Sequence, residues 1–217
     1  MGALPAGRCG TVGLTSWDVR RVRGEPAELF DREWPDRRTV WVLEPTTSAV
    51  VLGSTQPESV VVRGTPAVRR RSGGGAVLIE PGGLVWVDVF VPAGDPLWDV
   101  DVGRAFGWLG SAWAGVIPGA RAHDGPLLST PWSALVCFAG LGAGEVTVDG
   151  AKVVGMSQRR TRAGALFQCA ALLEWHPDRL LERLALTDDA RRRGHEELAG
   201  VARGSPVDAD ELLHHLP

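Results

Sequence analysis

The stretch Leu84–Val91 reads LVWVDVFV and alternates with a period of two. Val85, Val87, Val89 and Val91 share one face, and Leu84, Trp86, Asp88 and Phe90 share the other, which is the pattern of a β-strand. Further strands are expected at Thr39–Leu43, Ala49–Gly53, Val60–Val62 and Ala76–Ile79, and in a second group at Ala134–Phe138, Glu145–Val148, Lys152–Val154 and Ala165–Trp175. Asp149-Gly150 between two of these is a hairpin turn signal. Glu25 to Glu33 reads as a short helix. Between the strand groups, Asp101 can cap a helix in which Val102, Phe106, Leu109, Trp113 and Val116 recur at three- and four-residue steps, ended by Pro118-Gly119. Three more helices are expected: one opened by Pro177, a polar one over 188–201 with Gly194 as its weak point, and a short one over 208–216. Clustered strands with helices between and after them specify an α+β fold with mixed or antiparallel sheets and flanking helices. Residues 1–38 read as an N-terminal segment, polar over 1–23. Residues 39–175 form the core, and residues 176–217 a helical C-terminal segment of the same domain.

The chain has 217 residues and a net charge of −3, so a nucleic-acid partner held by bulk charge is not expected. No basic and then apolar leader stands in Met1–Thr15, and the apolar run Leu84–Ala93 is too short to span a bilayer, so no membrane association is expected. Cys9, Cys137 and Cys169 form no CxxC pair, which fits a reducing cytoplasm and not a zinc knuckle. The five histidines are scattered, and no metal site is expected. His195-Glu-Glu lacks the second histidine of a zinc-protease helix. Residues 144–152 lack P-loop spacing, and no Ser or Thr follows the lysine. Arg191–Arg193 reads as a solvated face of a polar helix. The nine tryptophans read mostly as core fillers, with Trp86 and Trp113 as candidates to line a cavity.

Among 23 basic residues only Lys152 is a lysine. The Arg-, Ala-, Gly- and Val-rich composition suggests a coding bias that exchanges Lys for Arg wherever charge alone suffices. A lysine that persists in such a chain is expected to mark a position where a compact point charge is required in place of a fork.

Two segments carry chemistry. Val68–Val77 reads VRRRSGGGAV. Gly73, Gly74 and Gly75 allow close backbone approach and positive φ, their N–H groups can cradle an anion, and Arg69, Arg70 and Arg71 add cationic forks beside them. The second segment runs from Cys137-Phe138 to Glu145-Val-Thr-Val-Asp-Gly-Ala-Lys152-Val-Val-Gly155-Met-Ser-Gln158-Arg-Arg160. Lys152 follows the Asp-Gly turn at the start of a strand, where its ammonium can reach an acyl carbonyl or a phosphate, and Gly155 again permits close approach.

RRRSGGGAV resembles the Arg-Arg-x-Ser-Gly-Gly-Gly-Ala-Val signature of the biotin/lipoate protein ligase and octanoyltransferase superfamily. VDGAKVVGMSQRR resembles its block around an essential lysine, and PTTSAVVLGSTQ (45–56) resembles its strand ending in Leu-Gly-x-x-Gln. The three blocks stand in the family's order. The resemblance implies a biotin/lipoate ligase-like catalytic domain with an acyl tunnel, and attachment of a lipoyl or octanoyl group to a lysine of a lipoyl-domain protein of the 2-oxoacid dehydrogenase or glycine-cleavage type. It places Lys152 at the acyl carbonyl. Arg70, Ser72, Gly73, Gly74, Gly75, Ala76, Gly155 and Gln158 fall on substrate-binding positions.

Two activities fit that resemblance. A cysteine-dependent octanoyltransferase takes octanoyl from acyl carrier protein onto its own cysteine, needs no cofactor, and places Cys137 as nucleophile, with Lys152 nearby to stabilise its thiolate. A lipoate–protein ligase uses ATP and magnesium and leaves Cys137 structural. Gly75 is the ligase-like choice where such transferases often carry Arg. Ile79 stands where the family commonly has His, and Phe167-Gln168-Cys169-Ala170 stands for its Leu-Gln-His-Gly, which also keeps a non-catalytic acyl binder in view. No accessory domain follows Trp175, so that role is absent or supplied by a partner. The loop at 69–77 departs from the Gly-Arg-Gly type of biotin ligases.

Overall fold

The computed structural model describes residues 17–217, so Cys9 and most of the polar N-terminal segment lie outside the described residues. In chain order the elements are β1 (Asp18–Gly24), α1 (Pro26–Phe30), β2 (Thr39–Pro45), β3 (Ala49–Leu52), β4 (Ala67–Arg69), β5 (Val77–Ile79), β6 (Leu84–Pro92), α2 (Gly107–Val116), β7 (Ala120–Ala122), β8 (Val146–Val148), β9 (Ala151–Thr161), β10 (Gly164–Leu172), α3 (Pro177–Leu181), α4 (Asp188–Leu198) and α5 (Ala209–His215). The alternating segment is β6, flanked by β2 and β10 in a seven-stranded sheet of order β1-β2-β6-β10-β9-β8-β7. A second sheet has the order β4-β3-β5. The pairs β1–β2 and β3–β4 are parallel and the others antiparallel, so the sheets are mixed, as the strand clusters predict.

β6 is apolar on both faces because both are covered. Val87, Val89 and Val91 pack with Leu109, Trp113 and Leu212 of α2 and α5. Leu84, Trp86 and Phe90 pack with Val51 and Ile79 of the small sheet and Leu29 of α1. A third cluster joins α3 and α4 to Val50, Leu52 and Val136. Among the described residues no helix is long and apolar enough to cross a membrane.

Asp88 sits at the middle of this core with no exposed surface. Its Oδ1 accepts the indole N–H of Trp86 at 2.9 Å, and its Oδ2 pairs with the Arg32 guanidinium. Burial pushes the Asp88 carboxyl above its ordinary value, while Arg32 and the hydrogen bonds pull it back.

Several expected elements differ. Residues 60–62 are a 3₁₀ turn over Glu58–Val60 and a single bridge from Val61 to Leu184. Residues 134–138 form only one bridge, Val136 to Ala76, before a 3₁₀ turn over Cys137–Ala139. There the Gln56 side-chain amide donates to the carbonyls of Ala134 and Leu135, and the Leu135 carbonyl also accepts the Ala76 N–H at 2.7 Å, so the Ala134 carbonyl needs no neighbouring strand. The helix expected from Asp101 starts later. Asp101 Oδ1 instead accepts the Arg104 N–H ahead of a 3₁₀ turn, and Val102 remains exposed. β1 lies inside the segment read as polar. Its arginines and Asp18 suit an edge strand, which charge protects from further pairing. The Asp149-Gly150 hairpin forms as expected, with positive φ at both residues (52° and 82°), the backbone of a type I′ turn. Gly194 is buried in α4, where a Cβ would come within 2.8 Å of Trp132 and 3.0 Å of Leu181, so it serves close packing.

Asp88→Ala leaves a half-buried guanidinium and an indole N–H without their partner. A stability loss of about 3–5 kcal/mol is expected, read from urea unfolding. A loss below about 1 kcal/mol would show that the pair contributes no more than a surface bridge.

Candidate active site

The glycine loop joins β4 to β5, and Arg70 is its internal brace. The Arg70 guanidinium is buried and donates to the carbonyls of Gly73 (2.7 and 3.2 Å), Gly75 (2.8 Å) and Val51 (3.3 Å). The triplet is constrained by what surrounds it. Gly74 has φ +97°, and a Cβ on Gly75 would lie 2.7 Å from the Val136 backbone and 2.8 Å from Cys137 N. Ala76 is fully buried, and its carbonyl accepts the Cys137 N–H at 2.9 Å, which sets the cysteine directly under the loop. Arg70 Nη2 lies 4.0 Å from the Cys137 thiol.

Ser72 Oγ is buried at 2.9 Å from both Ser157 Oγ and Gln168 Oε1. Ser157 and Gln168 are register partners on β9 and β10, so these contacts tie the loop to the main sheet.

Lys152 stands near the start of β9, and its backbone is paired from the other side by Val201 and Arg203 of the C-terminal segment. Its side chain is 3 % exposed. The ammonium bonds the carbonyls of Cys137 (3.1 Å) and Gly140 (2.9 Å) and pairs with Glu145 Oε2 at 2.7 Å. All three of its N–H donors are therefore engaged. Glu145 is equally buried. Its Oε2 also accepts the Gly142 N–H at 2.7 Å, and its Oε1 accepts the Met156 N–H at 2.9 Å. The Phe138 ring lies 5.1 Å from the ammonium. A Cβ on Gly155 would come within 3.2 Å of that ring and 3.3 Å of Lys152 Cε, so glycine there lets the two meet.

Two spaces meet at this point. One is an apolar cavity lined by Val51, Val77, Ile79, Trp86, Phe138 and Gly155 among others, with Arg70 and Cys137 at its wall. The other is a more open cleft bordered by Gly73, Gly74, Gly75, Ser133, Glu145 and Lys152. Cys137, Met156 and Ser157 line both.

The structure thus brings together Lys152, Cys137, Arg70, Gly73, Gly74, Gly75 and Gly155, with Ser72 and Ala76 holding the loop from behind. Gln158 is placed elsewhere. It alternates to the opposite face beside Phe167, and its Oε1 accepts the Arg160 Nε–H. Ser157 is the residue that reaches the loop. Trp86 lines the apolar cavity, and Trp113 belongs to the core under α2. The sequence reading passed over Glu145 and Gln168 as site residues. Glu145 had one legible signal, a lone acid opening an apolar strand ahead of the only lysine. Cys169 is fully buried, and that burial pushes its thiol well up. Among the described residues no group of three or more His, Cys, Asp or Glu side chains is placed to hold a metal ion.

Solved structures with the same fold include the archaeal bi-partite lipoate protein ligase of Thermoplasma acidophilum, described with its E2 lipoyl domain. It is 16% identical with a TM-score of 0.64, over 91% of this chain and 79% of that one. A lipoate-protein ligase A bound with ATP is 17% identical with a TM-score of 0.57, over 91% and 92%. The LipL1 protein of P. falciparum in complex with lipoate is 12% identical with a TM-score of 0.56, over 92% and 60%. No curated protein matches the sequence. The family model for the lipoyl protein ligase A/B catalytic domain matches residues 27–204, a span that holds the glycine loop, Cys137, Glu145 and Lys152, and the chain belongs to that family of protein-lipoylating enzymes.

Proposed function

We propose that this enzyme acylates lipoyl-domain proteins by transfer through Cys137. The observation that carries this reading is the position of the Cys137 thiol. Of the three side chains lining both the apolar cavity and the cleft, it is the one with a strong nucleophile, and Ser157 is already bonded to Ser72. A cation beside that thiol is Arg70, at 4.0 Å, where sequence reasoning expects Lys152. Lys152 instead holds the backbone carbonyl of the same cysteine.

In this reading the donor is octanoyl acyl carrier protein. Cys137 gives up its thiol proton and its sulfur attacks the donor's thioester carbonyl; the donor C–S bond breaks, and the carrier sulfur leaves with that proton as a thiol. The amine of the acceptor lysine then attacks the enzyme thioester. An amide bond forms, the C–S bond breaks, and the amine's proton returns to Cys137. The apolar cavity takes the hydrocarbon tail and the cleft admits donor and acceptor in turn. Lys152, freed from one loop carbonyl, stabilises the oxyanion of each addition. Lipoyl domains of the 2-oxoacid dehydrogenase or glycine-cleavage type are the acceptors, a reading supported by the E2 lipoyl domain named with the archaeal neighbour. A reducing compartment, the cytoplasm, keeps Cys137 free.

One observation favours the second reading, a lipoate–protein ligase. The open cleft bordered by Lys152 and the glycine triplet offers about 520 Å³, against about 50 Å³ for the apolar cavity. A ligase would hold ATP, with its magnesium, there beside the lipoate carboxylate, with Lys152 as the cation facing the anionic groups.

Incubation with octanoyl carrier protein, followed by intact mass measurement, is expected to show a hydroxylamine-labile octanoyl adduct that is absent in Cys137→Ser. Lipoylation of an acceptor domain that requires ATP and survives Cys137→Ser contradicts the transferase and supports the ligase. Lys152→Arg is expected to lower kcat by about 10²–10³-fold in either chemistry, because a planar fork does not fit a cage of two carbonyls and a carboxylate shaped around an ammonium. Wild-type turnover in that variant removes Lys152 from the mechanism. Glu145→Gln keeps the bonds to Gly142 or Met156 but leaves the ammonium without its counter-charge. Its kcat is expected to fall about tenfold or more, with KM little changed. An unchanged kcat assigns Glu145 a structural role only.

A further inference from the structure

The floor of the apolar cavity is graded. Gly155 of β9, Ala170 of β10 and Trp86 of β6 are register partners in one row across the sheet, and all three line the cavity. Two interstrand steps, about 10 Å, separate Gly155 beside Lys152 from Trp86. Gly155 lies under the Phe138 ring and Lys152 Cε, Ala170 is small, and Trp86 is the large residue at the far end of the row. Phe30 of α1 packs on it with ring centroids 4.8 Å apart, and it too lines the cavity.

We infer that the Phe30–Trp86 pair is the stop that sets the length of acyl chain this enzyme accepts. The inference rests on the acyl-transfer reading for which end of the cavity takes the carbonyl. With the reacting carbon at Cys137 and Lys152, the tail runs past Phe138 and over Ala170 and meets the two rings.

The stop is locked from below. The Trp86 indole donates to Asp88 Oδ1 at 2.9 Å, which fixes the ring's orientation. The other oxygen of Asp88 pairs with Arg32, two residues beyond Phe30, and Arg32 also donates to the Leu29 carbonyl at the end of α1. One buried carboxylate therefore positions both halves of the wall. This accounts for an acid at the centre of an otherwise apolar strand, where a hydrophobic residue would pack as well but leave the indole N–H unpaired.

The test compares wild type, Phe30→Ala and Trp86→Phe with octanoyl, decanoyl and dodecanoyl carrier protein. Each protein is also titrated with octanoate and dodecanoate by thermal shift. Wild type is expected to prefer octanoyl. Phe30→Ala is expected to raise the dodecanoyl-to-octanoyl ratio of kcat/KM by about tenfold or more and to gain stabilisation by dodecanoate. Trp86→Phe, which keeps a ring, is expected to move the ratio in the same direction by less. Variants that are folded by circular dichroism and keep the wild-type chain-length order overturn the inference. Absence of transfer by wild type overturns the catalytic reading alone, because the fatty-acid titration still reads the stop. In that case a shift toward dodecanoate in Phe30→Ala supports the stop, and no shift overturns it.

Discussion

The buried ion pair between Lys152 and Glu145 is the constraint on which the site depends. Neither charge has water to fall back on, so each is held by a full set of partners. The lysine's partners come from the turn that carries Cys137 and from Gly140 just beyond it. The glutamate's come from Gly142 and from Met156 of β9. One ion pair thus fastens the cysteine turn, the following loop and the central sheet to one another. It also puts the cation where an acyl carbonyl would meet it, at the junction of an apolar and a polar space.

A second buried cation shapes the other side of that junction. Arg70 is surrounded by carbonyls of the glycine loop and lies within reach of the Cys137 thiol. The loop turns carbonyls inward toward this guanidinium, and Gly75 must be glycine because the Val136–Cys137 backbone occupies the place of its side chain. The ligase-like third glycine is therefore also what lets the loop lie against the cysteine. Asp88 is a further buried charge, and it braces the apolar cavity as Glu145 braces the lysine.

Much of this was legible from residues alone. The alternation of Leu84–Val91 marks the central strand, the Asp-Gly turn the β8–β9 hairpin, and the three motif blocks the catalytic family. The parts that were not legible have physical reasons. Three-residue strands such as β4 and β7 carry too few side chains for a periodic signal. The cysteine turn looks like a strand because its residues are apolar, and only the distant Gln56 side chain shows why it is not one. Gln158 was assigned by motif position, and the alternation of β9 places Ser157 at the loop in its stead. Glu145 and Arg70 owe their importance to burial and to partners far away in the sequence, which composition and spacing do not encode.

The central claim is that an acyl chain lies with its carbonyl at Cys137 and Lys152 and its tail against Trp86. A crystal structure of the protein with octanoate bound tests it most directly. The account predicts the carboxylate beside the Cys137 thiol and the Lys152 ammonium, with the chain passing Phe138 and lying over Ala170. Octanoate bound with its carboxylate at the Phe30–Trp86 end, or outside the apolar cavity, would contradict it.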